Sequence, residues 1–291
     1  MRQTSKDQPE ARSVAYPDDS ESRFLVSVRK YIDSNLVGLT YQFVKRDILS
    51  RYRGSLLGVG WTILNPLMML ALYTFAFAGI LKTRWPGAED LGGIGYALNL
   101  FAGLIIFNFF SEVAGRAPGL IVQHTNLVKK VVFPLVILSW VAVFSALVQL
   151  FFSSLIIIAT TVILTGKVFI TIVAFPFVLL AFIPFVLGLS WFLSAIGVYI
   201  RDLSQVVTLV INLILFLSPI FYPAAALPAF MANLMWLNPL TVIIEQARLV
   251  LVVGIWPDWW ALLTYTAVSC VFALLGYWWF ERARKGFADV L

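Results

Sequence analysis

Polar and apolar positions along the chain alternate on two scales. Near the start, Val37, Tyr41, Val44, Ile48 and Tyr52 recur at steps of three and four residues, one narrow apolar stripe along a helix. Arg46, Ser50 and Arg53 fall on the far side of that helix, and Lys45 flanks the stripe, where its stem can snorkel. Phe43 points away from the stripe and needs some other cover, for which a partner protein is one candidate. After Arg53 no charge appears until Lys82, a gap of 28 residues. A basic amphipathic helix that feeds straight into an apolar stretch is predicted to lie on the cytoplasmic membrane surface. The plainer alternative is a juxtamembrane basic anchor that only orients the first span.

On the longer scale, apolar stretches predict six spans, at about 57–81, 95–112, 131–164, 169–199, 204–221 and 259–280. The third and fourth exceed the ~20 residues a bilayer requires, so they tilt or extend beyond it. Asn65-Pro66 is expected to kink the first span, and Pro176 and Pro184 to bend the fourth. Residues 222–258 are apolar but broken by Pro223, Pro228, Pro239, Gly254 and Pro257. The piece 239–253 is short for a span and carries Glu245 and Arg248, three residues apart on one helical face. It reads as part of a pair of short helices, about 222–253, that dip into the membrane from outside. Such a path is tolerable only when buried in protein or lining a wet cavity.

The expected fold class is therefore an all-α polytopic membrane protein. It has six transmembrane helices, an N-terminal amphipathic interface helix, and a periplasmic re-entrant helix pair between spans five and six. Residues 1–35 form a polar tail, disordered and cytoplasmic, with Pro9, Pro17 and the acidic Asp18, Asp19 and Glu21. Residues 36–56 form the interface helix, and 57–285 the transmembrane domain.

Composition agrees with this plan. Sixty per cent of the 291 residues are apolar and 12% are charged, which places the chain among multi-pass membrane proteins. The net charge of +6 does not argue for nucleic acid, because the basic residues follow the loops. The tail, the second-to-third loop, the fourth-to-fifth loop and the C-terminus hold 17 of the 21 Lys and Arg residues, and the opposite loops hold 4. Both termini are then cytoplasmic. Counting 239–253 as a seventh span would put Arg282, Arg284 and Lys285 outside, against that rule. Cys270, the single cysteine, reads as a small buried hydrophobe, and no removable signal peptide is evident.

The interiors of the six spans carry no Asp, Glu, Lys, Arg or His, which disfavours ion-coupled transport. The phosphate loop GxxxxGK[ST] is absent too, so a pump built on this chain takes its energy from another polypeptide. The loop AGRAPGLIVQHTNLVKK, residues 114–130, is the candidate receiver of that energy. Pro118 suits a helix start, Gly119–Thr125 a short helix, and Arg116, Lys129 and Lys130 hold it on the cytoplasmic side. An ordinary interspan loop would look similar. His124 reads as an exposed loop residue, not a metal ligand or base, since no second ligand sits nearby, and no metal site is expected.

Several blocks in order carry a resemblance: RDILSRYRGSLLGVGWTILNPL, NLVKKVVFPL, YIRDLSQ, LSPIFYP and WLNPLTVIIEQAR. From residue 41 to about 285 the chain resembles the permease subunits of polysaccharide-exporting ABC transporters of the type-2 exporter family, which move O-antigen, capsule or teichoic acid polymers. The tail is not part of that pattern. The resemblance implies that Arg46, Asp47, Arg51, Tyr52 and Arg53 dock the chain on a nucleotide-binding subunit. It implies a coupling helix at about 117–127, with Pro118, Gln123, His124 and Asn126 on it. Ser218, Pro219, Tyr222 and Pro223, with Asn238 and Pro239, resemble the turns shaping the re-entrant helices, and Arg201 and Asp202 resemble a charged pair closing the fourth-to-fifth loop. Two copies of this chain with two ATP-binding subunits are implied, in the bacterial inner membrane, with a lipid-linked polysaccharide passing between the copies. ATP and Mg would sit on the partner subunit, leaving no cofactor on this chain.

A polysaccharide path needs rings to stack on and few charges to trap the chain, and aromatic residues make up 15% of the sequence. Trp85, Trp236, Trp256, Trp259 and Trp260 gather on the outer side, where an interfacial belt is the simpler explanation. Trp140 and Trp191 lie deep in spans three and four, with core or lipid packing weighed above pathway lining. The stronger pathway candidates are Trp61, Tyr73 and Phe77 on the first span and Phe216, Phe221 and Tyr222 at the end of the fifth. A membrane-embedded lipid- or glycan-modifying enzyme, or its scaffold, is the alternative reading. It calls for clustered His, Asp or Glu at the membrane face, and the sequence has one His and no paired carboxylates at a span end.

Overall fold

The computed structural model describes residues 34–81, 85, 92–130, 133–223, 235 and 238–291. Residues 1–33 of the predicted polar tail, Trp236 and most of the first predicted re-entrant helix lie outside these residues, and residues 34 and 35 of that tail are helical. The chain divides into two units, 1–41 and 42–291. In the first unit residues 34–41 are helical, and the Thr40 hydroxyl donates to the Leu36 carbonyl at 2.8 Å. Among the described residues the second unit is built from helices and turns alone.

Helix α1 (Ser34–Arg51) stops short of the predicted boundary at 56. The reason is local: Gly54 and Gly58 adopt φ of +82° and +52°, a left-handed conformation that ends helical hydrogen bonding and that glycine adopts without strain. The helix therefore does not feed straight into the first span. Phe43 on α1 is covered from within the chain, its ring 5.4 Å from that of Phe133, so no partner is required to shield it.

Among the described residues five helical runs are long and apolar enough to cross a membrane: α2 (Gly58–Ile80), α3 (Gly93–Gly119), α5 (Ile137–Thr165), α6 (Ile170–Tyr199) and α9 (Trp259–Arg284), with the short α4 (Thr125–Lys130) between α3 and α5. Where the sequence predicted a fifth span at 204–221, α7 covers Leu203–Leu217, 15 residues. At 1.5 Å per residue that is about 22 Å, against ~30 Å of hydrocarbon. Helix α8 (Pro239–Arg248) continues as one wider turn through Val253, and α10 (Phe287–Val290) ends the chain.

The prolines act differently from one another. Pro66 lies within α2 and supplies no N–H to the Thr62 carbonyl one turn earlier. The Gln149 side chain on α5 donates to that oxygen instead, at 3.1 Å, and so fastens α2 to α5. Pro176 opens the α-helical part of α6, after the tighter turn Ile170–Ala174, and is not a bend within it. Pro184 lies inside that helix.

Helix α3 is the central element, buried along most of its length, and α6 and α9 are the most closely packed pair. A Cβ on Gly276 would lie 2.3 Å from the Gly188 carbonyl oxygen, so the two backbones touch where neither residue has a side chain. Helix α8 is buried within the bundle at Leu240, Ile243, Ile244 and Ala247. By contrast α2 is mostly exposed, and of α7 only Val207 is buried. Cys270 is exposed on α9, contrary to its expected burial: the helix shows that face to the outside of the bundle. Trp256, Trp259 and Trp260 are exposed at the start of α9, whereas Trp85 is buried at 5% exposure and does not belong to a surface belt. Trp191 is core, donating its indole N–H to the Val136 carbonyl at 3.2 Å and meeting Trp140 edge-on at 6.3 Å.

Candidate functional site

Side-chain chemistry concentrates at two places along α3. The first is its C-terminal end. Arg116 forks onto Asp47 of α1, with Nη2 donating to Oδ1 at 2.6 Å and Nη1 to Oδ2 at 3.1 Å. Arg51, one turn beyond Asp47, donates to Asp47 Oδ2 at 2.9 Å and also to the carboxylate of Glu112. Glu112 sits one turn before Arg116, 3.7 Å from its Nη1. Two cations and two anions thus close a ring between α1 and α3. Burial alone would raise the pKa of Asp47, but the hydrogen bonds and charges of Arg116 and Arg51 outweigh it and hold the carboxyl below its ordinary value. For Arg51 burial works downward, and the carboxylates of Glu112 and Asp47 leave its pKa raised. All four side chains keep some exposure, so each pair contributes about 0–1 kcal/mol. What the ring supplies is geometry, since a bidentate fork fixes the angle between the two helices.

Of the predicted docking residues, Asp47 and Arg51 are therefore turned inward to this ring. Tyr52 is turned inward as well, its hydroxyl 3.4 Å from the Gln149 side-chain oxygen. Arg46 and Arg53 are exposed, with the Arg46 guanidinium 5.9 Å over the Phe43 ring.

The predicted coupling helix is two tight turns, Ala117–Gly119 and Val122–His124, leading into α4. Pro118 is buried against the end of α6, where a Cβ on Gly197 would lie 2.1 Å from the Pro118 carbonyl oxygen. Gln123 and Asn126 are exposed, while His124 is half-buried with Nδ1 2.8 Å from the Leu120 carbonyl. Lys129 bonds to a Leu291 oxygen, joining this segment to the chain end. Arg201 and Asp202 are exposed at the turn into α7.

The second place is the other half of α3. Arg248 of α8 is 2% exposed. Its Nε donates to the Asn99 carbonyl at 2.9 Å, Nη2 to the Ile220 carbonyl at 2.8 Å and Nη1 to Glu245 at 2.9 Å. The guanidinium lies 4.5 Å over the Trp85 ring. Gly103 leaves room for it, since a Cβ there would stand 3.1 Å from Nη2. Trp85 meets Tyr96 edge-on at 5.2 Å, and Tyr96 stacks on Phe77 at 4.7 Å and donates its hydroxyl to the Phe221 carbonyl. Phe221 stacks on Phe216 at 6.0 Å, and the Tyr222 hydroxyl donates to the Phe216 carbonyl at 2.8 Å.

The predicted turn residues meet here. Asn238 caps α8 by accepting from the Leu240 N–H at 2.9 Å, and its amide donates to the Ser218 hydroxyl at 2.8 Å. Pro239 occupies the first turn of α8, where no N–H is needed, and Pro219 is buried after α7. Of the six pathway candidates, Phe77, Phe216, Phe221 and Tyr222 belong to this one cluster. Tyr73 is half-buried, and Trp61 lies apart from the cluster, donating to the Ser55 hydroxyl at 2.7 Å. Sequence reasoning paired Glu245 with Arg248 but gave neither a role in a site. The available signal was a lone cation in an apolar stretch, which must find acceptors.

These features define an all-helical, multi-pass membrane protein with a charge-locked end and an aromatic turn held by a buried arginine. The chain belongs to the ABC-2 type transporter family, whose model matches residues 39–252. It is similar to the O-antigen export system permease protein RfbA of Myxococcus xanthus, 28% identical over 254 residues that cover 87% of this chain and 95% of that protein. It is also similar to a protein of the same name from Klebsiella pneumoniae, 24% identical over 269 residues covering 90% and 98% of the two chains. A second Klebsiella pneumoniae protein of that name is 23% identical over 271 residues, 90% and 98% of the two chains.

Proposed function

We propose that the chain is the permease half of an ABC exporter that moves a lipid-linked polysaccharide, of O-antigen or capsular type, across the bacterial inner membrane. The observation that carries this reading is the family match over most of the chain, joined to relatives that are named O-antigen export permeases and align along nearly their whole length. Two copies form the path, each working with an ATP-binding subunit that holds ATP and Mg. The broad exposure of α2 and α7 supports this, since two apolar helices with little cover in one chain are the surfaces a second copy and a passing glycan would share. In this reading α7 and the turn after it make a sixth crossing, and α8 is the second of two re-entrant helices at the periplasmic exit. Residues 1–35 are a cytoplasmic tail and α1 is the interface helix, so both termini are cytoplasmic.

The proposed division of labour follows the exposure of the side chains. Arg46 and Arg53, free of the charge ring, face the ATP-binding subunit, while Asp47, Arg51 and Arg116 pass its movement to α3. The segment 117–127, seated on α6, is the coupling element. Phe216, Phe221 and Tyr222 form the outer gate. The test is co-purification with the ATP-binding subunit: Arg46→Glu with Arg53→Glu should leave the protein inserted in the membrane but without its partner. Recovery of partner equal to wild type would remove the docking role.

A further inference from the structure

Among the described residues Arg248 is the one buried charged side chain. Of its three hydrogen bonds only the one to Glu245 stays within α8. The other two hydrogen bonds run to separate elements: Nε to the Asn99 carbonyl on α3 and Nη2 to the Ile220 carbonyl, in the turn between α7 and α8. Both acceptors are main-chain oxygens, so they hold backbone in place whatever side chains stand there. Neighbouring contacts bind the same turn. Tyr96 donates to the Phe221 carbonyl, Asn238 holds Ser218, and the ring of Trp85 covers the guanidinium and touches Tyr96.

We propose that Arg248 is the positioning residue of the outer turn, a latch that pins residues 218–222 to α3 and thereby fixes Phe221 and Tyr222 in the closed arrangement. This rests on the reading of that turn as the exporter's exit gate. The planar fork is what the task requires: its donors point in three fixed directions, toward α3, the turn and Glu245. A lysine would keep the charge, but its single ammonium cannot span both carbonyls and Glu245 at once. Opening the gate means that the Ile220 carbonyl leaves Nη2, and the strength of this bond sets how often the turn opens at rest.

The test uses the full-length protein in lipid nanodiscs, with Cys270→Ser to remove the native thiol. One cysteine is placed at Pro223, just after the turn, or at Lys167, in an exposed loop that Arg248 does not hold. The readout is the labelling rate with a membrane-impermeant maleimide. Arg248→Lys should raise the rate at position 223 by about tenfold, the effect of losing one hydrogen bond to a charged group on an opening equilibrium. The rate at 167 should stay at its wild-type value. Trp85→Leu, which removes the ring but leaves the three hydrogen bonds, should give a smaller rise at 223 alone, and it serves if the lysine variant does not fold. An equal rise at 223 and 167 would mean general loosening, and no rise at either would mean that the turn is held elsewhere. Either result overturns the latch. Glycan export by the parent protein, measured in parallel, reports separately on the exporter reading.

Discussion

Replacing Gly197 by alanine tests how Pro118, in the last turn of α3, is seated on α6 and what the seating does. The added Cβ would lie 2.1 Å from the Pro118 carbonyl oxygen and 2.7 Å from the Pro118 C and Cα atoms. Carbon and oxygen approach to about 3.3 Å at closest, so that turn and α6 must part by roughly 1 Å. The obstructing atoms are backbone, and no side chain can swing aside to relieve them. Overpacking of this kind costs about 1–3 kcal/mol. Gly119→Ala is the matched control, because its Cβ meets only the far end of Gln123, 2.8 Å away, which can move. Gly276→Ala is a second control: its clash with the Gly188 carbonyl oxygen, at 2.3 Å, is of the same kind but lies about 13 Å further along α6. The assay is the complex with its ATP-binding subunit in proteoliposomes, with thermal stability, ATP hydrolysis and glycan exported per ATP all measured. Gly197→Ala and Gly276→Ala should both lower the unfolding midpoint, and Gly197→Ala alone should lower export per ATP. A Gly197→Ala complex with wild-type stability and coupling would refute the seating of Pro118 on α6.

Three further outcomes are expected. Asp47→Asn should weaken the ring between α1 and α3 by about 1–2 kcal/mol and uncouple hydrolysis from export more than it impairs partner binding. Because the Asp47 pKa is lowered, the ring's contribution is complete at neutral pH and is lost only as pH falls through that lowered value, below the usual carboxylate range; a loss between pH 7 and 5, followed by thermal unfolding, would contradict it. In cells, a cysteine at Lys167 should react with an impermeant label from the periplasm, and one at Ala288 only after the inner membrane is permeabilised; periplasmic labelling at Ala288 would invert the topology.

The all-helical, multi-pass character was legible in the sequence because it rests on a local feature, the long apolar runs, whereas the predicted fifth span at 204–221 is a helix of only 15 residues. Family membership was legible because its blocks keep their order. What stayed hidden depends on contacts between distant elements. The resemblance implied that Asp47 and Arg51 are docking residues, yet Glu112 and Arg116, more than 60 positions away, draw them into a ring with α3. Trp85 read as belt because it lies in an outer loop, and the cation that buries it comes from α8. Phe43 lacked a cover until Phe133 supplied one. Pro66 read as a kink, and the compensating donor is Gln149, on another helix. Local periodicity fixes which face is apolar, but not which element will meet it.

The most direct test of the central claim is transport itself. Inside-out inner-membrane vesicles carrying this chain and its ATP-binding subunit would be loaded externally with lipid-linked glycan, and glycan reaching the lumen would be followed as protection from an added glycosidase. Protection should appear only with ATP and only when both subunits are present, and it should vanish in vesicles whose partner carries an inactivated ATP site. Protection that develops equally without ATP, or without this chain, would contradict the account.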